Sequence, residues 1–255
     1  MSMALQKDEA LVLTKLPYGE SDKIVRLFTL TNGKMSVIAK GGSKSQKRFM
    51  NTLEPFNHIK IEYFKKQNKS IARIENADLI ESNTGIEKSL KSFCAASFFA
   101  EFTDRLTKDG EKNKDLFNML KYIFVNVKDS AFGSSEIIIN LLNILKITGF
   151  MPNFKTCVYC GREVPDEEKI YFSKERGGIL CKICSSSLSY KTYPAGVIAC
   201  LSLYEKKGNF LIDPGFIEYI QAILEDFIAF HLDVKLKSYR LLKSIIKEEV
   251  CNISP

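Results

Sequence analysis

Residues 23–40 read KIVRLFTLTNGKMSVIAK, and they set the architecture of the first third of the chain. Two runs rich in β-branched and aromatic residues flank Asn32-Gly33. That dipeptide is the strongest short hairpin signal, because both central residues of its tight turn need positive φ. Working outward, EALVLTKL (9–16) forms an earlier strand. FNHIKIEYF (56–64) alternates Ile59, Ile61 and Tyr63 against Asn57, Lys60 and Glu62, and SIARIENADLIE (70–81) supplies a fifth strand. Five short strands with a basic loop after the third are compatible with an OB-type β-barrel, and other small barrels remain open on strand count alone.

From about residue 85 the apolar period becomes helical. EKSLKSFCAASFFAEFTDRL places Leu90, Phe93, Cys94, Phe98 and Phe102 on one stripe. NKDLFNMLKYIFVNV and SSEIIINLLNILKITG follow, the latter entered through Ser134 or Ser135 as N-cap and left through Gly149. An irregular segment, 153–188, holds four paired cysteines. Helices resume after Pro194 with AGVIACLSLYEKK, FIEYIQAILEDFIAFHL and SYRLLKSIIKEEV, and the second of these carries the stripe Ile217, Ile220, Leu224, Phe227 and Ile228. The expected class is an α+β multidomain protein: a five-stranded OB-type barrel (1–82), then a helical domain in two parts (83–152 and 189–255) around a four-cysteine zinc-binding insertion (153–188).

The cysteine spacing is the most specific motif. Cys157-Val-Tyr-Cys160 and Cys181-Lys-Ile-Cys184 lie twenty residues apart. Each C-x-x-C turns two thiolates toward one point, and four thiolates suit a tetrahedral Zn²⁺ with no position left for water or substrate. The expected zinc is therefore structural. Gly161 after the first knuckle and Gly177-Gly178 before the second let the backbone turn closely around the sulfurs. Cys94, Cys200 and Cys251 fall in helical patterns and read as small core residues.

The second informative stretch is AKGGSKSQKRF, 39–49. A P-loop requires Gly immediately before its Lys, and here Ser43 precedes Lys44. The segment instead reads as a mobile grip on a nucleic-acid backbone, with Lys40, Lys44, Lys47 and Arg48 as cations and Phe49 or Tyr18 as candidate base-stacking aromatics. Lys34 on the same strand, and Lys23 and Arg26 on its hairpin partner, widen the expected patch. Charge supports this placement: residues 1–84 hold 14 Lys/Arg against 9 Asp/Glu, and the rest of the chain holds 23 against 21. A basic surplus concentrated in one third of a chain points to a polyanionic partner for that third.

Catalytic arrangements do not emerge. His58 and His231 are far apart and show no partners in the sequence, and no paired-carboxylate or triad order stands out; the chain is expected not to be an enzyme. The apolar runs are broken well short of a membrane span, and an acidic pair interrupts the N-terminus MSMALQKDEALVL where a signal peptide needs an apolar run, so a cytoplasmic location with no membrane partner is expected.

LVLTKLPYGESDKIVRLFTLTNGKMSVIAKGGSKSQKRFMNTLEPF (11–56), together with the C-x-x-C pairs and the terminal FHLDVKLKSYRLLKSI, resembles the RecO family of bacterial DNA-repair and recombination-mediator proteins. The resemblance implies an OB domain and a helical domain with a zinc-binding insertion. It further implies binding of single- and double-stranded DNA, strand annealing, and loading of RecA onto strands coated by single-strand-binding protein (SSB). The partners it implies are RecR, in many bacteria RecF, the acidic C-terminal tail of SSB, and RecA indirectly. The implied location is the bacterial cytoplasm, associated with the nucleoid. A groove between the C-terminal helices, edged by Lys237 or Arg240, is the candidate site for that tail. The competing reading is an assembly scaffold that docks repair partners without annealing. A zinc-dependent nuclease or an NTP-driven enzyme is disfavoured by the closed cysteine set and the failed P-loop spacing.

Overall fold

A computed structural model describes residues 4–42, 45, 48–66, 70–129, 132–164, 169–207, 212–232 and 236–253. The chain forms two compact units, 1–132 with 236–255, and 133–235. In the first, β1 (Gln6–Tyr18), β2 (Asp22–Thr29), β3 (Gly33–Ala39), β4 (His58–Phe64) and β5 (Ile71–Glu81) close a barrel in the order β1-β2-β3-β5-β4. Only the β3–β5 pair is parallel. The alternation seen in the sequence fills the interior with Val12, Val25, Leu27, Val37, Ile59 and Ile61.

The hairpin forms, but its turn differs from the expected one. Thr29 pairs with Gly33 across a three-residue loop, and Gly33 has φ 64° whereas Asn32 has no positive φ. Asn32 acts through its side chain instead: Nδ2 donates to the buried Asp8 carboxylate at 2.9 Å, which also accepts from Thr31 Oγ1 at 2.7 Å. The left-handed conformation falls instead on the first residue of β3, where glycine carries no Cβ penalty. A Cβ on Gly33 would also lie 2.1 Å from the Glu111 carbonyl oxygen, so a side chain here would push the neighbouring segment off the strand.

Helices α1 (Leu90–Leu106), α2 (Lys114–Asn126) and α7 (Lys237–Ile253) belong to the barrel unit. Ser89 and Asn113 cap the first two by accepting from Ser92 N and Leu116 N. Of the α1 stripe, Cys94, Phe98 and Phe102 are buried, while Leu90 and Phe93, in the helix's first turn, are exposed. The C-terminal end of α1 is closed by a side chain from the barrel. Lys34, on β3, donates its ammonium to the carbonyls of Asp104 and Thr107, groups left without partners by the end of the helix. Arg26 reaches the Asp104 carboxylate at 2.8 Å and that of Asp109 at 2.9 Å, and Gly110 N donates to Lys34 O at 2.9 Å. A cation at a helix C-terminus is also favoured by the helix dipole.

The second unit contains α3 (Ser134–Ile147), β6 (Lys169–Ser173), β7 (Gly178–Leu180), α4 (Lys182–Ser185), β8 (Lys191–Pro194), α5 (Ala195–Lys207) and α6 (Ile217–His231). Gly133, not Ser134 or Ser135, is the N-cap of α3, and its N–H donates to the Glu136 carboxylate at 2.9 Å. Gly149 follows the helix with φ 78°, as its sequence position indicated. The segment read as irregular contains most of a three-stranded sheet, ordered β7-β6-β8. Its strands are too short to show a period. The α6 core is Ile220, Ile223, Leu224, Phe227 and Ile228. Cys94 and Cys200 are buried as expected; the Cys251 side chain lies outside the described residues.

Both histidines have partners that the sequence did not reveal. His231 Nε2 lies 2.6 Å from Lys174 O, and His58 Nε2 lies 3.0 Å from a Glu9 carboxylate oxygen. His58 is buried against Phe117, and its Nδ1 has no partner. Burial, then the nearby Lys121, depress its pKa below the usual 6.5, with Glu9 and Glu81 opposing.

Two expectations follow. Lys34→Met, which keeps the buried stem but strands two helix-end carbonyls, is expected to destabilise the protein by about 2–3 kcal/mol in urea unfolding. The depressed His58 pKa means the unfolded state binds the proton more readily, so its contribution is complete above 6.5 and is lost as pH falls toward the folded value. A His58→Gln variant is therefore expected to show a flatter thermal midpoint between pH 7 and pH 5 than the unaltered chain.

Candidate nucleic-acid interface and metal centre

At the end of β3 the chain turns through Gly41, which has φ 66°. Asp22, opening β2, accepts from Lys40 Nζ at 2.5 Å and from Gly41 N at 2.9 Å. These two bonds, Lys40 first, hold the Asp22 carboxyl below the usual carboxylate range. Arg48 donates to the Lys40 carbonyl at 2.9 Å, and its guanidinium lies 4.9 Å from the centre of the Phe49 ring. Lys23, paired with Pro17 and Ala39, stands at the same end of the barrel. The structure thus brings Lys40 and Arg48 together, with Lys23 on the neighbouring strand at the same end of the barrel. Lys44 and Lys47 lie outside the described residues.

Three expected contacts are corrected. Lys34 is 5% exposed, and its ammonium is committed to the end of α1, so it cannot reach a phosphate. Arg26 is held between Asp104 and Asp109. Phe49 is 3% exposed and, with Leu53, enters the barrel core, where apolar burial outweighs any use as a stacking surface. Tyr18, by contrast, is 52% exposed.

The sequence reading missed a row of residues on the outer face of the barrel. Leu16 pairs with Ile24, Ile24 with Ile38, and Ile38 with Arg73. Leu16 is strongly exposed, and Lys65 and Lys66 follow β4 at the surface. The signal was available: in an OB architecture the β2–β3 face and the β1–β2 and β4–β5 loops form the ligand surface.

In the second unit all four expected sulfurs converge. Cys157, Cys160, Cys181 and Cys184 place their Sγ atoms within 4.8 Å of one another, and Cys160 and Cys181 are 3.8 Å apart. Ligands at a tetrahedral Zn²⁺ with Zn–S of about 2.3 Å stand roughly 3.8 Å apart, so the donor set fits that ion. The first knuckle closes through Cys157 N to Arg162 O at 2.8 Å and turns on Gly161, φ 74°. The second places Cys181 at the N-cap of α4 and Cys184 within it. Arg162 Nε donates to the Cys160 sulfur at 3.4 Å and lowers that thiol to about 6, whereas burial and neighbouring sulfurs push Cys184 up to about 12. The four sulfurs together form a possible metal site.

Of the two cations expected to edge an acidic-tail groove, both Lys237 and Arg240 are exposed on α7. Lys237 borders a cleft of about 440 Å³ floored by Leu13, Pro55, Phe56 and Phe93. Glu101 closes one side, accepting from Ser238 N at 2.9 Å. No helix among the described residues is long and apolar enough to cross a membrane.

Comparison with known proteins covers most of the chain. Residues 1–83 match the family model described as Recombination protein O N terminal, and residues 87–240 match Recombination protein O C terminal. The DNA repair protein RecO of Thermoanaerobacter sp. strain X514 is 30% identical over 251 residues, covering 95% of this chain and 99% of the relative. That of Caldanaerobacter subterraneus is 32% identical over 248 residues, covering 92% and 96%. That of Geobacter metallireducens is 31% identical over 244 residues, covering 95% and 99%.

Proposed function

Because the chain belongs to the RecO family of DNA repair proteins, we propose that it acts in DNA repair as a non-enzymatic recombination mediator that binds DNA and anneals complementary strands. The observation that carries this reading is the gathering of Lys23, Lys40 and Arg48 at one end of a closed barrel, beside the exposed Tyr18. The Lys40–Asp22 pair is exposed, with 57% of the lysine side chain accessible. Such pairs stabilise little in water. Lys40 can therefore exchange Asp22 for a phosphate at small cost.

The mechanism is charge screening. Two complementary strands repel each other, and cations that hold both reduce the repulsion while pairing nucleates. Single- and double-stranded DNA share the phosphate backbone, so both are bound. In this role the protein assists the loading of RecA onto SSB-coated strands, working with RecR, with RecF where present, and with the acidic SSB tail. Lys237 or Arg240 edges the site we assign to that tail. The family's cytoplasmic, nucleoid-associated location is part of the same proposal. A scaffold that docks partners without annealing is the second reading, favoured by the apolar cleft beside Lys237.

The four cysteines hold one structural Zn²⁺. When bound, it compensates the thiolate charge and fixes the two knuckles. The chain supplies the geometry through Gly161, Arg162 and the N-cap position of Cys181.

Annealing of two labelled complementary oligonucleotides, with and without ATP, tests the reading. Annealing that needs no ATP is expected; its absence with DNA binding intact selects the scaffold, and ATP-dependent turnover overturns the non-enzymatic role. With about four phosphates contacted, log K against log salt concentration is expected to slope near −3 on single strands. Lys40→Glu with Arg48→Glu is expected to weaken binding and flatten that slope, read by fluorescence anisotropy. Purified protein is expected to carry one zinc per chain by elemental analysis, and Cys181→Ser to lose it with a lowered thermal midpoint.

A further inference from the structure

The two knuckles that gather the sulfurs also present large apolar side chains to solvent. Tyr159, between Cys157 and Cys160, is 62% exposed, and Ile183, between Cys181 and Cys184, is 69% exposed. Each is one residue from a cluster sulfur, so both stand on the rim of one site. Two apolar side chains of this size at neighbouring turn tips form a small exposed apolar patch beside the cluster.

The surrounding charges define what they would contact. Arg176 sits on the turn between β6 and β7, with its guanidinium 5.9 Å from the Tyr159 ring centre. That turn is fixed against the first knuckle: Val158 N donates to Ile179 O at 2.9 Å, and Asn153 N donates to Gly177 O at 3.0 Å. Gly178 is required there, since a Cβ would lie 2.4 Å from Val158 Cγ1. Arg162 and Lys182 are exposed beside the same knuckles, and among the described residues Glu163 and Glu175 are the exposed acids next to these cations. Tyr190, also exposed, meets Tyr171 edge-on at 5.0 Å. With Arg176 over one face of Tyr159, the high exposure of the ring leaves its other face open.

We propose that this rim is a second nucleic-acid contact, in which Tyr159 stacks on an unpaired base while Arg176 and Lys182 hold the flanking phosphates. An aromatic ring backed by a guanidinium, with further cations beside it, is the combination that grips single strands without reading their sequence. Duplex DNA, with its bases already stacked, offers nothing to Tyr159. The proposal rests on the DNA-handling role above, and gives the chain one contact on each of its two units.

The absence of tryptophan from the chain makes the test direct. Full-length protein carrying Tyr159→Trp has one indole, placed at the proposed contact. Adding oligo(dT) is expected to quench its emission by roughly half, saturably, while a duplex leaves it unchanged. The quench is expected to survive in the Lys40→Glu, Arg48→Glu background. Arg176→Ala, remote from the sulfurs, and Tyr159→Ser with zinc content confirmed are each expected to weaken oligo(dT) binding about tenfold. Unchanged emission while anisotropy shows the oligomer bound, with annealing retained, overturns this contact and leaves the barrel reading standing. An emission change that tracks protein concentration without DNA also overturns it, in favour of self-association. No DNA binding by the unaltered chain sinks both readings.

Discussion

A buried ammonium group ties the barrel to the end of α1. Lys34 leaves β3, passes out of solvent, and ends on the carbonyls that terminate α1. Those carbonyls cannot be satisfied within the helix, and the lysine cannot stay buried without them. Each solves the other's desolvation. Gly33, one residue earlier, admits the 109–112 segment to the strand because it has no side chain, and Arg26 completes the joint through Asp104 and Asp109. A similar arrangement holds α7, whose first N–H groups are met by the Glu101 carboxylate.

This joint also divides the basic residues by role. Lys34 and Arg26 fall in the same stretch of sequence as Lys23 and Lys40, and composition cannot separate them. The structure does, by what each head group meets. Two carbonyls and two carboxylates take the first pair into the architecture, while Lys40 meets one carboxylate and keeps 57% of its own side chain accessible to water, which leaves it available. The surplus of positive charge in the first third is therefore part scaffold and part surface.

The barrel and the sulfur cluster were legible because their signals are local and redundant. Alternation in β3 and β4 fixed which side chains point inward, and C-x-x-C spacing needs only a turn to bring its sulfurs together. Contacts between elements were hidden. Nothing in KIVRLF shows that Arg26 will meet Asp104, 78 residues away. Phe49 read more readily as core than as surface, and what decides it is whether the β3–β4 connection folds back over the barrel. Asn32-Gly33 announced a hairpin correctly but not its turn, because Asp8, from another strand, set the conformation of the loop.

The division of the chain into units has a consequence for how the protein is made. The barrel, α1 and α2 come first, then the 133–235 unit, and only afterwards α7, which packs Tyr239 against Phe98 at 5.2 Å between ring centres. Closing a loop of that length costs only slowly more than closing a short one. Its price is paid in time: on the ribosome the part of α1 that α7 covers waits exposed while the whole second unit is synthesised. The four cysteines emerge during that wait, so the second unit can bring its sulfurs together before the first has received its last helix.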